Sequence, residues 1–220
     1  RQDYERAVIV GSKSTFGKGT VQRFFDLDRA IRGNSDLKPL GEVKLTTQKF
    51  YRINGGSTQL KGVTPDIILP DNFHFIDIGE KQYDYAMEWT EIEPAEYELP
   101  NYQLPDLEQL RAKSKERVEA NEDFKLVMQN AERLKRNSDE MEFVLNYDKF
   151  DKEMDRREEE AEKFRNLWDT DIEGLKTYNL AVDLEEINSD STKIARNDVW
   201  LSDLKKDIYI DEVLNIMADI

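Results

Sequence analysis

Cysteine is missing from all 220 residues, which excludes thiol nucleophiles, thiolate metal sites and disulfides within this segment. That absence leaves the redox compartment open. Histidine occurs once, at His74, with no second histidine or cysteine beside it, a pattern that argues against a metal or catalytic role there. No apolar run approaches the roughly 20 residues that a membrane-spanning helix requires. No initiator Met precedes Arg1 and no charged-then-apolar leader follows it. The chain therefore reads as a piece of a longer protein.

What is present is charge, unevenly spread. The net charge is −15. Residues 1–75 hold 12 Lys and Arg against 8 Asp and Glu, a net of +4, whereas the remaining 145 hold 20 against 39, a net of −19. Aromatic, β-branched and glycine-rich sequence sits in the first part, and charged helix-forming sequence in the second. A break of that kind predicts two structural units. The acidic second part offers no basic stripe to phosphates, which disfavours a nucleic-acid partner.

The chain divides into 1–75, a linker or strap at 76–104, and 105–220. In the first part, "RAVIVG" (6–11) reads as a buried strand and "TVQRFFDL" (20–27) as a second. "GEVKLTTQKFYRI" (41–53) alternates strongly, and "NGGS" (54–57) supplies the positive φ of a hairpin turn. "VTPDIILP" is extended between prolines. Proline and scattered aromatics at 76–104 suggest a strap laid over a surface. From Asp106 the pattern is helical, with Phe124, Val127, Met128, Ala131 and Leu134 on one face and Asn121 as its cap. A second stripe, Tyr147, Phe150, Met154, Ala161, Phe164 and Trp168, predicts a long helix that packs on its own domain and stops near Gly174. Residues 187–198 read as a polar loop, and "IDEVLNIMADI" as a closing helix. The fold class is α+β.

The stretch "STFGKGTVQ" (14–22) sets Lys18 between two glycines. A phosphate loop would place four residues between its first Gly and the Gly-Lys pair, with Ser or Thr following. Here Gly11 and Gly17 have five between them, Gly19 follows Lys18, and a strand rather than a helix comes next. A glycine turn with a surface lysine remains open, as does a lysine general base. A base must shed its proton, which desolvation by neighbours such as Phe16, Val21 and "AVIV" would favour. Gln22 shares the face of Lys18 whether the segment is strand or helix. Its amide can orient the amine without adding charge.

"AVIVGSKSTFGKGTVQ" resembles the segment around the catalytic lysine of tail-specific, or C-terminal processing, serine proteases. The similarity continues through "KLTTQKFYRINGGSTQLKGVTPDIILP", and more weakly at "VLNYDKF" and "DIYIDEVLNIMAD". It implies a Ser–Lys dyad supported by a glutamine, with Lys18 as base and Gln22 as its support. It also implies protein substrates with apolar C-termini, no metal or cofactor, and a periplasmic location. Residues 1–75 would then be the sheet-rich end of the protease α/β domain, and 105–220 a helical C-terminal domain. The family's serine, its PDZ module and its oxyanion amides would lie upstream, so this segment alone is expected to be inactive. Ser12, Ser14 and Ser57 read as turn serines. From another class, the acidic helices could serve as a scaffold that docks a periplasmic adaptor.

One near miss closes the sequence reading. "DTDIEG" (169–174) imitates the opening of a calcium loop, but Leu180 stands where a bidentate Glu is needed. A helix end with an acidic last turn is the simpler reading.

Overall fold

A computed structural model describes residues 1–30, 33, 35–99, 105–165, 167 and 169–220. Trp168, at the end of the second helical stripe, lies outside them. The strands are β1 (Val10–Gly11), β2 (Thr20–Asp26), β3 (Glu42–Lys49) and β4 (Ile67–Ile68). The helices are α1 (Leu27–Ala30), α2 (Leu107–Ala120), α3 (Glu122–Asp139), α4 (Tyr147–Glu162), α5 (Leu184–Ile187), α6 (Ser191–Leu204) and α7 (Ile208–Ala218). Mixed α and β structure, with helices concentrated in the second half, is what the composition predicts. The chain folds into two compact units: Arg1–Ile9, Lys13–Pro65 and Asp77–Leu104 form one, and Val10–Ser12, Asp66–Ile76 and Pro105–Ile220 the other.

In the first unit, β2 and β3 pair antiparallel, with Gln22 opposite Thr46 and Phe24 opposite Lys44. Valine, threonine and phenylalanine suit this pleated ribbon. Its register slips between Val21 and Gln22, a bulge that leaves Thr47 unpaired and sharpens the local twist. The expected return of the chain after "NGGS" shrinks to one antiparallel bridge, Tyr51 to Ser57. Beyond it the chain turns away to hydrogen-bond with residues 15–19: Leu60 N–H donates to the Gly17 carbonyl (2.7 Å), and Thr15 and Val63 pair backbone to backbone (3.1 Å).

In the second unit, β1 lies parallel to β4, Val10 opposite Ile67. The strand expected over 6–11 is thus cut to two residues, Val10 and Gly11, the pair that forms the ladder with Ile67 and Ile68. Helix α2 packs against α3 and α7. Leu69, Leu110, Phe124, Val127, Ala131, Ile208 and Ile216 are buried, and the rings of Phe124 and Tyr209 meet edge-on at 5.6 Å. The predicted cap is present: the Asn121 side chain accepts from the N–H groups of Asp123 and Phe124.

Helix α4 ends at Glu162, well before Gly174, and its packing is partial. Its last turns reach α3 through Arg136 and Glu160 (3.5 Å), with Arg133 set over the Phe164 ring just beyond. Tyr147, Phe150 and Met154 stay exposed. The polar loop expected at 187–198 is instead mostly helix α6, started by the Asp190 side chain accepting from Thr192 N–H.

Candidate active site

The local fold around Lys18 follows from its two glycines. Gly17 sits at φ +87°, a left-handed conformation that side chains disfavour. Gly19 is needed for a different reason. A Cβ there would lie 2.5 Å from the Gln59 nitrogen and 2.6 Å from the Ser57 hydroxyl. The lysine turn is therefore pressed against residues 57–60 at a distance only glycine allows.

Polar bonds hold it there. Thr58 donates its hydroxyl to the Lys18 carbonyl at 2.9 Å, and Gly19 N–H donates to Gln59 Oε1 at 2.8 Å. From this turn the Lys18 amine projects outward and donates to Gln22 Oε1 at 2.8 Å. Both side chains are exposed.

Lys18 and Gln22 line one cavity of about 730 Å³. Strand alternation brings Thr20 onto the same wall, and β3 adds Lys44 and Thr46. Phe16 borders the cavity, but Val21 and "AVIV" are not among its lining residues. The apolar shield expected of those residues is thus reduced to Phe16, because alternation turns Val21 to the opposite face from Thr20 and Gln22.

The far wall is a strap, residues 79–91. Glu80, Tyr83, Asp84, Tyr85, Ala86 and Met87 face the cavity from it. The strap is pinned along its length: Glu80 N–H donates to the Phe16 carbonyl at 2.8 Å, Lys49 Nζ to the Glu88 carbonyl at 2.7 Å, and Trp89 Nε1 to the Ser57 carbonyl at 2.8 Å. Lys61 covers the Trp89 ring at 3.4 Å, a cation–π contact. Tyr83 leans on Phe16 with ring centroids 6.4 Å apart.

The other weighed residues lie elsewhere. Ser57 accepts from Gln59 N–H (3.1 Å) and donates to the Phe50 carbonyl (3.3 Å). Ser14 donates to the Thr15 carbonyl, and Ser12 is exposed. His74 stands edge-on to Phe75. Asp169 lies 3.8 Å from Lys206. Among the described residues no three His, Cys, Asp or Glu side chains cluster to hold a metal. Sequence reasoning missed Gln59 and Glu80. The one available signal was the pair of glycines, which mark close approach by another backbone.

The chain belongs to the tail-specific protease family. The family described as the C-terminal domain of tail specific protease matches residues 73–220, and Peptidase family S41 matches residues 1–69. The chain is 48% identical over 96 residues to the tail-specific protease of Haemophilus influenzae, a match covering 44% of this chain and 13% of that protein. It is 38% identical over 90 residues to the carboxy-terminal-processing protease of Bartonella bacilliformis, covering 37% of this chain and 18% of that protein. The chain thus matches less than a fifth of the length of either relative.

Proposed function

We propose that this chain supplies the general base of a Ser–Lys endopeptidase that cleaves proteins recognised at apolar C-termini. The observation that carries this reading is the Lys18 amine held by the uncharged Gln22 amide at 2.8 Å in the wall of an open cavity. A serine hydroxyl, carried outside this segment, would attack the substrate carbonyl while its proton passes to Lys18 Nζ. Collapse of the tetrahedral adduct breaks the C–N bond, and Lys18 returns that proton to the leaving amine. Water then releases the acyl group by the same exchange. Gln22 fixes the amine's direction without the negative charge that would hold it protonated. A periplasmic setting belongs to the same reading.

The test uses the enzyme that carries both this chain and the serine. Lys18→Ala should lower kcat/KM by about 10²- to 10⁴-fold with the fold retained by circular dichroism. Activity within a small factor of the parent would reject Lys18 as base.

A second reading, docking of an adaptor protein by the helical part, is favoured by the exposed run Met141, Phe143, Val144 and Leu145 ahead of α4, in which Leu145 is 98% exposed. Leu145→Asp should weaken retention of such a partner without changing turnover of a short peptide.

A further inference from the structure

Gln59 is fully buried, at 0% exposure, although glutamine is ordinarily a surface residue. An amide taken out of water is costly unless both of its ends are bonded. Both are bonded here. Oε1 accepts from Gly19 N–H at 2.8 Å, while Nε2 donates to the Met87 carbonyl at 3.0 Å and to the Glu80 carboxylate at 3.3 Å. The orientation of the amide is forced, since a backbone N–H can only donate and so must face the oxygen.

The two ends of this one side chain therefore reach different walls of the cavity. One end grips the residue that follows Lys18, and the other grips the strap at both edges of its cavity-facing stretch. An apolar side chain of similar size would fill the space, but it would join neither wall and would leave the Gly19 N–H without this acceptor. We infer that Gln59 is a positioning residue for Lys18: it acts through the Gly19 amide to fix the backbone from which the amine projects, and it makes that placement depend on a seated strap. The inference rests on the reading of Lys18 as general base, which its test keeps separate.

Two variants divide the role. Gln59→Met removes both ends of the bridge. Gln59→Glu keeps an acceptor toward Gly19 but loses the donor to Met87 and sets a second carboxylate against Glu80. In the enzyme carrying this chain, both should lower kcat, Gln59→Met by about ten- to a hundredfold, with KM changed little and the folded fraction unchanged by circular dichroism. In this chain on its own, trace reductive methylation read by mass spectrometry should shift the ratio of Lys18 to Lys44 modification in both variants.

Where Lys18→Ala loses activity, unchanged kcat in the folded Gln59 variants or a loss confined to KM would overturn the inference, and an unmoved labelling ratio would overturn it in either case. Should Gln59→Met fail to fold, Gln59→Glu decides alone. If neither folds, Gln59 is a structural residue only and the inference falls. Lys18→Ala separates the premises. Retained activity in Lys18→Ala, together with a shifted labelling ratio in the Gln59 variants, rejects the base and keeps the positioning, whereas lost activity in Lys18→Ala with an unmoved ratio in the Gln59 variants does the reverse.

Discussion

Gly17 and Gly19 flank the same lysine, yet they are not interchangeable. The first is demanded by a backbone angle, the second by lack of room. Gly19→Ala should therefore act as a wedge, pushing residues 57–59 away and stretching the Gly19–Gln59 bond. Overpacking of a tight site costs about 1–3 kcal/mol, so the urea midpoint of this chain should fall, and on the proposed reading of Lys18 the kcat of the enzyme that carries it should fall too. An unchanged midpoint would mean that the two segments yield without effort. The Lys18–Gln22 pairing was legible beforehand because both residues fall on one face of any regular structure. Gln59 was not, since its burial arises from a contact 40 residues away in the chain, and nothing within "GGSTQ" distinguishes it from a surface turn residue.

Among the elements, the join between α2 and α7 is the most consequential in the helical unit. Arg117 on α2 bonds the Glu212 carboxylate at 2.8 Å and Asp219 at 2.7 Å, and Lys113 adds a second contact to Asp219 at 2.8 Å. The Glu212 side chain is only 4% exposed. Lys113 and Arg117 hold the Asp219 carboxyl below the usual carboxylate range. Its contribution is thus complete above the ordinary carboxyl pKa and is lost only as pH falls through the lowered value. Removing the guanidinium strands a buried charge, so Arg117→Met should destabilise the unit by about 2–4 kcal/mol, read from denaturant unfolding. A loss within error of zero would show that Glu212 finds water or another partner. Helix α3 was readable as an apolar stripe behind its Asn121 cap, and α7 as the closing helix of the chain. Helix α6 was hidden because Ser, Asn and Asp around its start read as loop, although Asp190 uses that same chemistry to begin it. The exposed start of α4 shows the limit of periodicity, which marks an apolar face without saying what covers it.

At the scale of the whole chain, alkaline pH probes the helical unit through one phenol. Tyr209 donates its hydroxyl to the Pro70 carbonyl at 2.8 Å. Burial, aided by the Asp71 and Asp207 carboxylates, pushes the phenol up to about 12. Because this lies above the unfolded value of about 10, the protonated phenol favours the native state. Its stabilisation is intact below about pH 10 and is lost as pH rises toward about 12. Between those limits the parent chain should lose more unfolding free energy than Tyr209→Phe, and parallel losses would exclude the phenol as the cause.

The same contact also bears on where the chain can be cut. Five times along its length the chain passes from one compact unit to the other. A fragment that begins at Pro105 would keep every long helix yet surrender β1, β4, the buried Ile67 and Leu69, and the carbonyl that receives Tyr209. Such a truncation amputates part of the helical unit's interior instead of freeing a module. A soluble piece suited to binding studies has to carry residues 10–12 and 66–76 with it, and so must be bought with the intervening lysine turn.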